Sequence, residues 1–262
     1  MVNGANVWVA SAAKGEIELA QVHIWRVGLK RPEGETPWHR EFLSEIEVER
    51  ADRYYFDRDR NRFIIARSVL RQLLGVYLHL DPRVIDFVYG PQGKPDVVAS
   101  QNSSRLRFNL SHSGELALVA VSLNLELGVD VEQIRPDFAA LEIAARFFSP
   151  EEYAKLEALL PDARVEAFFN CWTRKEAYIK ARGEGLSIPL DSFHVAFVPG
   201  EEPALLQVKT GHDRPSRWRF HTLHPGHGYK AALAVEGNDH ALRLWEWDPK
   251  HATDWQTLPE TL

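Results

Sequence analysis

The residues best suited to chemistry lie in the segment Trp172 to Leu186, WTRKEAYIKARGEGL, which reads as a helix closed by a glycine-rich break. At about 3.6 residues per turn, Trp172, Glu176 and Lys180 recur at i, i+4 and i+8, so an aromatic anchors a ridge that offers one carboxylate and one ammonium. Gly183 and Gly185 then stop the helix. Taken alone, a Glu-Lys pair at this spacing is an ordinary solvated pair on a surface helix. Upstream, GVDVE (Gly128 to Glu132) reads as a strand whose period of two points Asp130 and Glu132 to one face and Val129 and Val131 to the other. Neighbouring carboxylates repel each other, so such an edge is either hydrated or occupied by a cation. An Asp-x-Glu strand joined by a helix glutamate supplies the few hard oxygens that Mg²⁺ takes, leaving positions for water and phosphate.

Two further segments hold polar residues in turns. FNLSHSGELALVAVS (Phe108 to Ser122) reads as a strand, a turn carrying Ser111, His112 and Ser113, and a second apolar strand. A serine-hydrolase reading fails, because Gly-x-Ser-x-Gly is absent and no acid stands at a distance that singles it out. YGPQGKP (Tyr89 to Pro95) holds Lys94 in a Gly/Pro turn, where a lysine is ordinarily solvent-exposed.

The elements that must position these residues come in two similar sets. The first has a strand (Val22 to Val27), a helix through Arg40 to Phe56, a long helix through Arg62 to Leu80, the Lys94 turn and a strand pair. The second has the GVDVE strand, helices over Phe138 to Phe148 and Pro150 to Leu160, a long helix from Val165 to Arg182, and strands from Phe193 onward. FNLSHSG in the first set is answered by FHTLHPG (Phe220 to Gly226) in the second, which suggests internal duplication. Duplicated α/β units pack about a pseudo-twofold axis, and the cleft between them is a usual ligand site. The linker, through Ser122 to Leu127, has no Pro/Gly/Ser-rich tether, so the halves should be fixed against one another.

The ordered set GPQGKP, FNLSHSG, GVDVE and WTRKEAYIKARGEGL resembles the 4′-phosphopantetheinyl transferases, in particular their larger single-chain type with two related halves. The likeness runs from about Gln21 to about Trp247 and leaves out residues 1–20 and the last dozen. Its specific part is GVDVE paired with W-T-x-K-E-A-Y-x-K about forty residues downstream, and every signature position is filled, including Glu132, which some relatives replace. The resemblance implies an α+β fold of two similar halves, residues 1–124 and 125–262, with the active site in the cleft between them. It implies transfer of the 4′-phosphopantetheine arm of coenzyme A to a serine of an apo acyl or peptidyl carrier protein, releasing adenosine 3′,5′-bisphosphate. Mg²⁺ or Mn²⁺ would be held by Asp130, Glu132 and Glu176. Glu176 and Lys180 would be catalytic, Glu176 as base toward the acceptor serine and Lys180 as a charge on the diphosphate. Coenzyme A would be bound by Arg50, Lys94, Ser111, His112 and Lys180, with Arg50 and His112 on its 3′-phosphate. Lys175 and Trp172 match the signature as supporting positions.

Arg50 stands in a run with Arg53, Arg58, Arg60, Arg62 and Arg67 that alternates with Asp52, Asp57 and Asp59. Most of that run reads as a solvated salt-bridge lattice. Over the 262 residues, 31 basic against 37 acidic residues give a net charge of −6, which argues against a general nucleic-acid binder. The single Cys171 excludes an intrachain disulfide and reads as a small buried hydrophobe. No apolar run approaches a membrane span, and Met1 to Ala13 lacks the pattern of a signal peptide. The expectation is a soluble cytoplasmic monomer of pseudo-dimeric architecture. Two rival readings stand beside the transferase: a metal-dependent phosphoester hydrolase using the same acids, and a non-catalytic coenzyme A or carrier-binding module.

Overall fold

The computed structural model of the protein describes residues 7–11, 16–32, 34–135, 137–209 and 213–248, so most of Met1 to Ala13 and all of 250–262 lie outside the described residues. After a short strand β1 (Val9–Ser11), the first unit runs from β2 (Gln21–Gly28) through α1 (Glu35–Arg40) and α2 (Glu45–Asp52) to the long α3 (Asp57–Leu78). A hairpin of β3 (Phe87–Tyr89) and β4 (Pro95–Val97) follows, then β5 (Leu106–Ser113) and β6 (Leu116–Leu123). The second unit repeats the order: β7 (Leu127–Gln133), α4 (Ala140–Phe147), α5 (Pro150–Ala158), the long α6 (Pro161–Arg182), hairpin strands β8 (Phe193–Val195) and β9 (Leu205–Val208), then β10 (Trp218–Leu223) and β11 (Tyr229–Glu236). Within each unit the three main strands are antiparallel neighbours, β5-β6-β2 in one and β10-β11-β7 in the other. The last described strand, β12 (Ala241–Trp247), departs from the repeat. It returns to pair in parallel with β2, with β1 parallel on its other side, and so enlarges the first sheet to five strands.

Alternation along the strands builds three cores. Trp25, Val27, Val119 and Val121 face α3, while Phe220, Ala232 and Ala234 face α6. The opposite faces, with Val22, Ile24, Leu118, Val129, Val131 and Leu233, pack sheet on sheet. Burying one such aliphatic side chain is worth about 1.5–3 kcal/mol, whereas an exposed ion pair contributes roughly 0–1 kcal/mol, so an apolar core fixes the halves against one another.

The duplication extends to single contacts. Each long helix has 22 residues, and Arg71 and Lys175 stand at the same position in them. Each buried cation pairs with the glutamate of a capping box: Arg71 Nε with Glu47 at 2.6 Å, Lys175 Nζ with Glu152 at 2.8 Å. Each also donates to two carbonyls of the following loop, Pro82 and Ile85 for Arg71, Leu190 and Phe193 for Lys175. An unpaired buried charge would be very costly, so these nodes lock helix, cap and loop together.

Several boundaries differ from the sequence reading. The helix expected over Arg40 to Phe56 is broken, because Ser44 and Glu47 form a capping box that starts α2 afresh. The long helices begin earlier than expected, at Asp57 and at Pro161, and a proline suits the first helical position. The two short helices of the second unit end at Phe147 and Ala158. Ser111, His112 and Ser113 belong to strand β5 rather than to a turn, and the chain reverses at Gly114. Arg67 is buried against Glu47, outside any solvated lattice.

Candidate active site

Gly128 explains how α6 reaches β7. A Cβ there would collide with the Ala177 carbonyl oxygen and the Ala181 amide nitrogen, and would lie 2.8 Å from the Lys180 carbonyl carbon, so only glycine lets the helix lie directly on the strand. Asp130 and Glu132 point to that same face, and Glu176 and Lys180 come down beside them. At the C-terminal end, Gly183 takes φ 68° and caps the helix, as the glycine-rich break predicts.

From the other half, β5 presents alternate polar side chains to β7. Asn109 Oδ1 accepts from the Val129 amide at 2.9 Å, Ser111 Oγ from Val131 at 3.4 Å and Ser113 Oγ from Gln133 at 3.1 Å. These side chains satisfy amides that would otherwise line an open strand edge. The seam brings Ser111 and His112 of one half to Asp130, Glu132, Glu176 and Lys180 of the other, around a cleft of about 450 Å³ walled by Trp172 and Phe147. A second hollow of about 240 Å³ shares Glu176 and Lys180 and is bounded by Lys94 and Asn109.

Asp130 is buried, and its Oδ1 accepts from Lys180 Nζ at 2.6 Å and Ser111 Oγ at 2.9 Å. Its Oδ2 is buried with no hydrogen-bond partner in the protein, which leaves an acceptor position suited to water or an ion. Glu132 accepts from Ser113 Oγ at 2.7 Å. Burial, then the charge of Asp130, holds the Glu132 carboxyl above the ordinary carboxylate range, with the Ser113 bond and Lys180 opposing. Glu176 is raised in the same way by burial, Asp130 and Glu132, against Lys180. Among the described residues no three His, Cys, Asp or Glu side chains are already gathered as a ligand cluster. The Lys180 ammonium pairs with Asp130 instead. The donor set itself fits a hard divalent ion: carboxylate oxygens around one cleft, one of them buried and unpartnered.

His112 is exposed on β5. Its imidazolium is disfavoured by desolvation and by the cations Lys180, Arg62 and Arg50, with Asp59 opposing. The repulsion from the cations is the part that a bound anion would reverse. Arg50 does not line either hollow; it is exposed on α2 with its guanidinium carbon 5.2 Å from the Phe63 ring centroid. Of the six arginines in that run it alone has no carboxylate partner among the described residues. Lys94 is no free surface lysine: its ammonium donates to the Ala181 carbonyl at 3.0 Å, the Leu127 carbonyl at 3.3 Å and Glu126 at 3.4 Å, and burial lowers its pKa. It ties the turn of the first half to the end of α6. Trp172 stacks on Phe168, and Cys171 is wholly buried, its thiol pushed up by burial. Sequence reasoning missed Asn109 and Ser113 as contacts of the site; the signal was the N-x-S-x-S alternation, which extends the strand through the supposed turn.

A family model described as 4′-phosphopantetheinyl transferase superfamily matches residues 126–234, and one for the N-terminal region of 4′-phosphopantetheinyl transferase matches residues 31–124. The chain is 38% identical over 227 residues to the 4′-phosphopantetheinyl transferase HetI of a Nostoc species, covering 87% of this chain and 92% of that protein. It is 34% identical over 198 residues to the 4′-phosphopantetheinyl transferase Sfp of Bacillus subtilis, covering 76% and 84% of the two chains. Among the described residues no helix is long and apolar enough to cross a membrane. With both halves matched by their family models, and relatives aligned over most of its length, the chain belongs to the 4′-phosphopantetheinyl transferase superfamily, in its two-domain form, and is a 4′-phosphopantetheinyl transferase.

Proposed function

We propose that the cleft moves the phosphopantetheine arm of coenzyme A onto a serine of an apo acyl or peptidyl carrier protein. The observation that carries this reading is the buried, unpartnered Oδ2 of Asp130 in a cleft shared with Glu132, Glu176 and Lys180. Asp130, Glu132 and Glu176 would hold Mg²⁺ or Mn²⁺. When bound, the ion supplies positive charge against the negative charge that builds on the diphosphate oxygens.

The chain's own residues do the rest. Lys180 turns its ammonium from Asp130 to the diphosphate as a point charge. Glu176, whose carboxyl burial and Asp130 hold above the ordinary carboxylate range, takes the proton of the acceptor serine. The serine oxygen then bonds to the phosphorus that carries pantetheine, the bridging P–O bond breaks, and adenosine 3′,5′-bisphosphate leaves. Arg50 and His112 receive the 3′-phosphate, which removes the repulsion among their charges. Ser111 and Lys94 bind the nucleotide, and Lys94 also shapes the wall of the smaller hollow. In this reading residues 1–124 hold the nucleotide end and 125–262 the diphosphate end. A single chain supplies both walls, so the enzyme works as a monomer, in the cytoplasm.

The test is mass spectrometry of apo-carrier proteins incubated with the enzyme, coenzyme A and Mg²⁺. The expected result is addition of the phosphopantetheine arm to the carrier serine, with one adenosine 3′,5′-bisphosphate released per carrier modified. Coenzyme A consumed equally fast without carrier would replace this reading with the hydrolase.

A further inference from the structure

We propose that Ser113 is a positioning residue for the Glu132 carboxylate, so that a strand of the first half sets the metal site of the second; this rests on the proposed function above. Ser113 Oγ makes two bonds across the seam, donating to Glu132 Oε2 at 2.7 Å and accepting from the Gln133 amide at 3.1 Å. A hydroxyl has a single proton. With one of its two lone pairs held by an amide of β7, the hydroxyl gives that proton to the carboxylate.

Two residues upstream the pattern recurs, where Ser111 Oγ accepts from the Val131 amide and donates to Asp130. Each serine takes the amide that follows an acid and gives its proton to that acid. Asn109 makes the third rung but meets Gly128 where an acid would stand, so that rung is structural only. The end of the seam is pinned as well: beyond Ser113 the chain reverses at Gly114 with φ 56°, and the Glu115 amide donates to Tyr229 Oη at 3.1 Å. Ser113 is thus held from both sides, and Glu132 inherits one orientation from it.

Outer hydrogen bonds to a liganding carboxylate typically change metal affinity by about 10–100-fold. The experiment measures Mn²⁺ binding to the intact enzyme by electron paramagnetic resonance of the free ion, without coenzyme A. Ser113→Ala and Ser113→Val should weaken binding about tenfold, while Ser113→Thr stays close to wild type. Threonine and valine share a shape, so their difference reports the hydroxyl even where the alanine variant folds poorly. In a Glu132→Ala background the Ser113→Val loss should vanish, because the serine acts through that carboxylate. Equal Mn²⁺ affinity in the threonine and valine variants overturns the proposal, as does a loss that persists undiminished without Glu132, which would trace to the Gln133 rung alone. Intact Mn²⁺ binding in Glu132→Ala would instead remove the metal assignment itself.

Discussion

Glu132 and Glu176 bind a proton more readily in the folded chain than in the unfolded one, since burial and Asp130 raise both. Folding therefore gains from them below the ordinary carboxylate value of 4.5 and loses that gain as pH rises through their raised values. With cations chelated, Glu132→Gln and Glu176→Gln should melt higher than wild type, by a margin that widens toward neutral pH; saturating Mg²⁺ should reverse the order. A margin independent of pH would show that neither carboxylate is strained. Arg50 is tested by a double cycle. A charge-assisted contact to phosphate contributes about 1.5–3 kcal/mol, so Arg50→Ala should weaken coenzyme A binding roughly ten- to a hundredfold and weaken dephospho-coenzyme A far less. Calorimetry giving equal losses for both ligands would return Arg50 to the surface. That Asp130 shares a face with Glu132, and Glu176 with Lys180, was legible because periods of 2 and 3.6 residues are local rules that need no knowledge of the fold, while the roles of these residues came from the family resemblance. Ser113 was not, because its partner Glu132 lies beyond β6 and the linker, in the other half, and the contact exists only once the halves meet.

Helix α6 acts as one rigid carrier for Trp172, Glu176 and Lys180, and its distance from β7 is set at Gly128. Gly128→Ala should cost about 1–3 kcal/mol by overpacking, or more, since the clashing atoms are backbone. It should also cut turnover out of proportion to coenzyme A binding, because the helix moves away from Asp130. Denaturation midpoints and single-turnover rates on the same preparation check both, and an alanine variant of wild-type stability would show that the helix can stand off freely. The order of elements was readable along the chain, while their ends were less so. Ser44 and Glu47 spell a capping box, yet the charged and aromatic stretch around them hides the break between α1 and α2. The role of Lys175 was beyond local reading, since Glu152, Leu190 and Phe193 converge on it only in the folded chain.

At the scale of the molecule, duplication was legible but the path of the tail was not. Nothing local in ALRLWEW says that it will lie beside QVHIWRVG, more than two hundred residues earlier. Trp247 is buried in the core beneath α3 and receives the Arg31 guanidinium at 4.8 Å. Trp247→Ala should therefore destabilise the enzyme by about 3–5 kcal/mol although it lies in the other sheet from the GVDVE strand. Urea unfolding measures this, and an unchanged midpoint would mean that β12 is dispensable. The same strand bears on how the protein is made. The sheet of the second half is complete once Glu236 has been synthesised, whereas that of the first lacks the strand between β1 and β2 until Trp247 leaves the ribosome. The half translated last is thus the first able to close. Throughout synthesis the earlier half carries an open, largely apolar strand edge, the kind of surface that nascent chains must shield from one another.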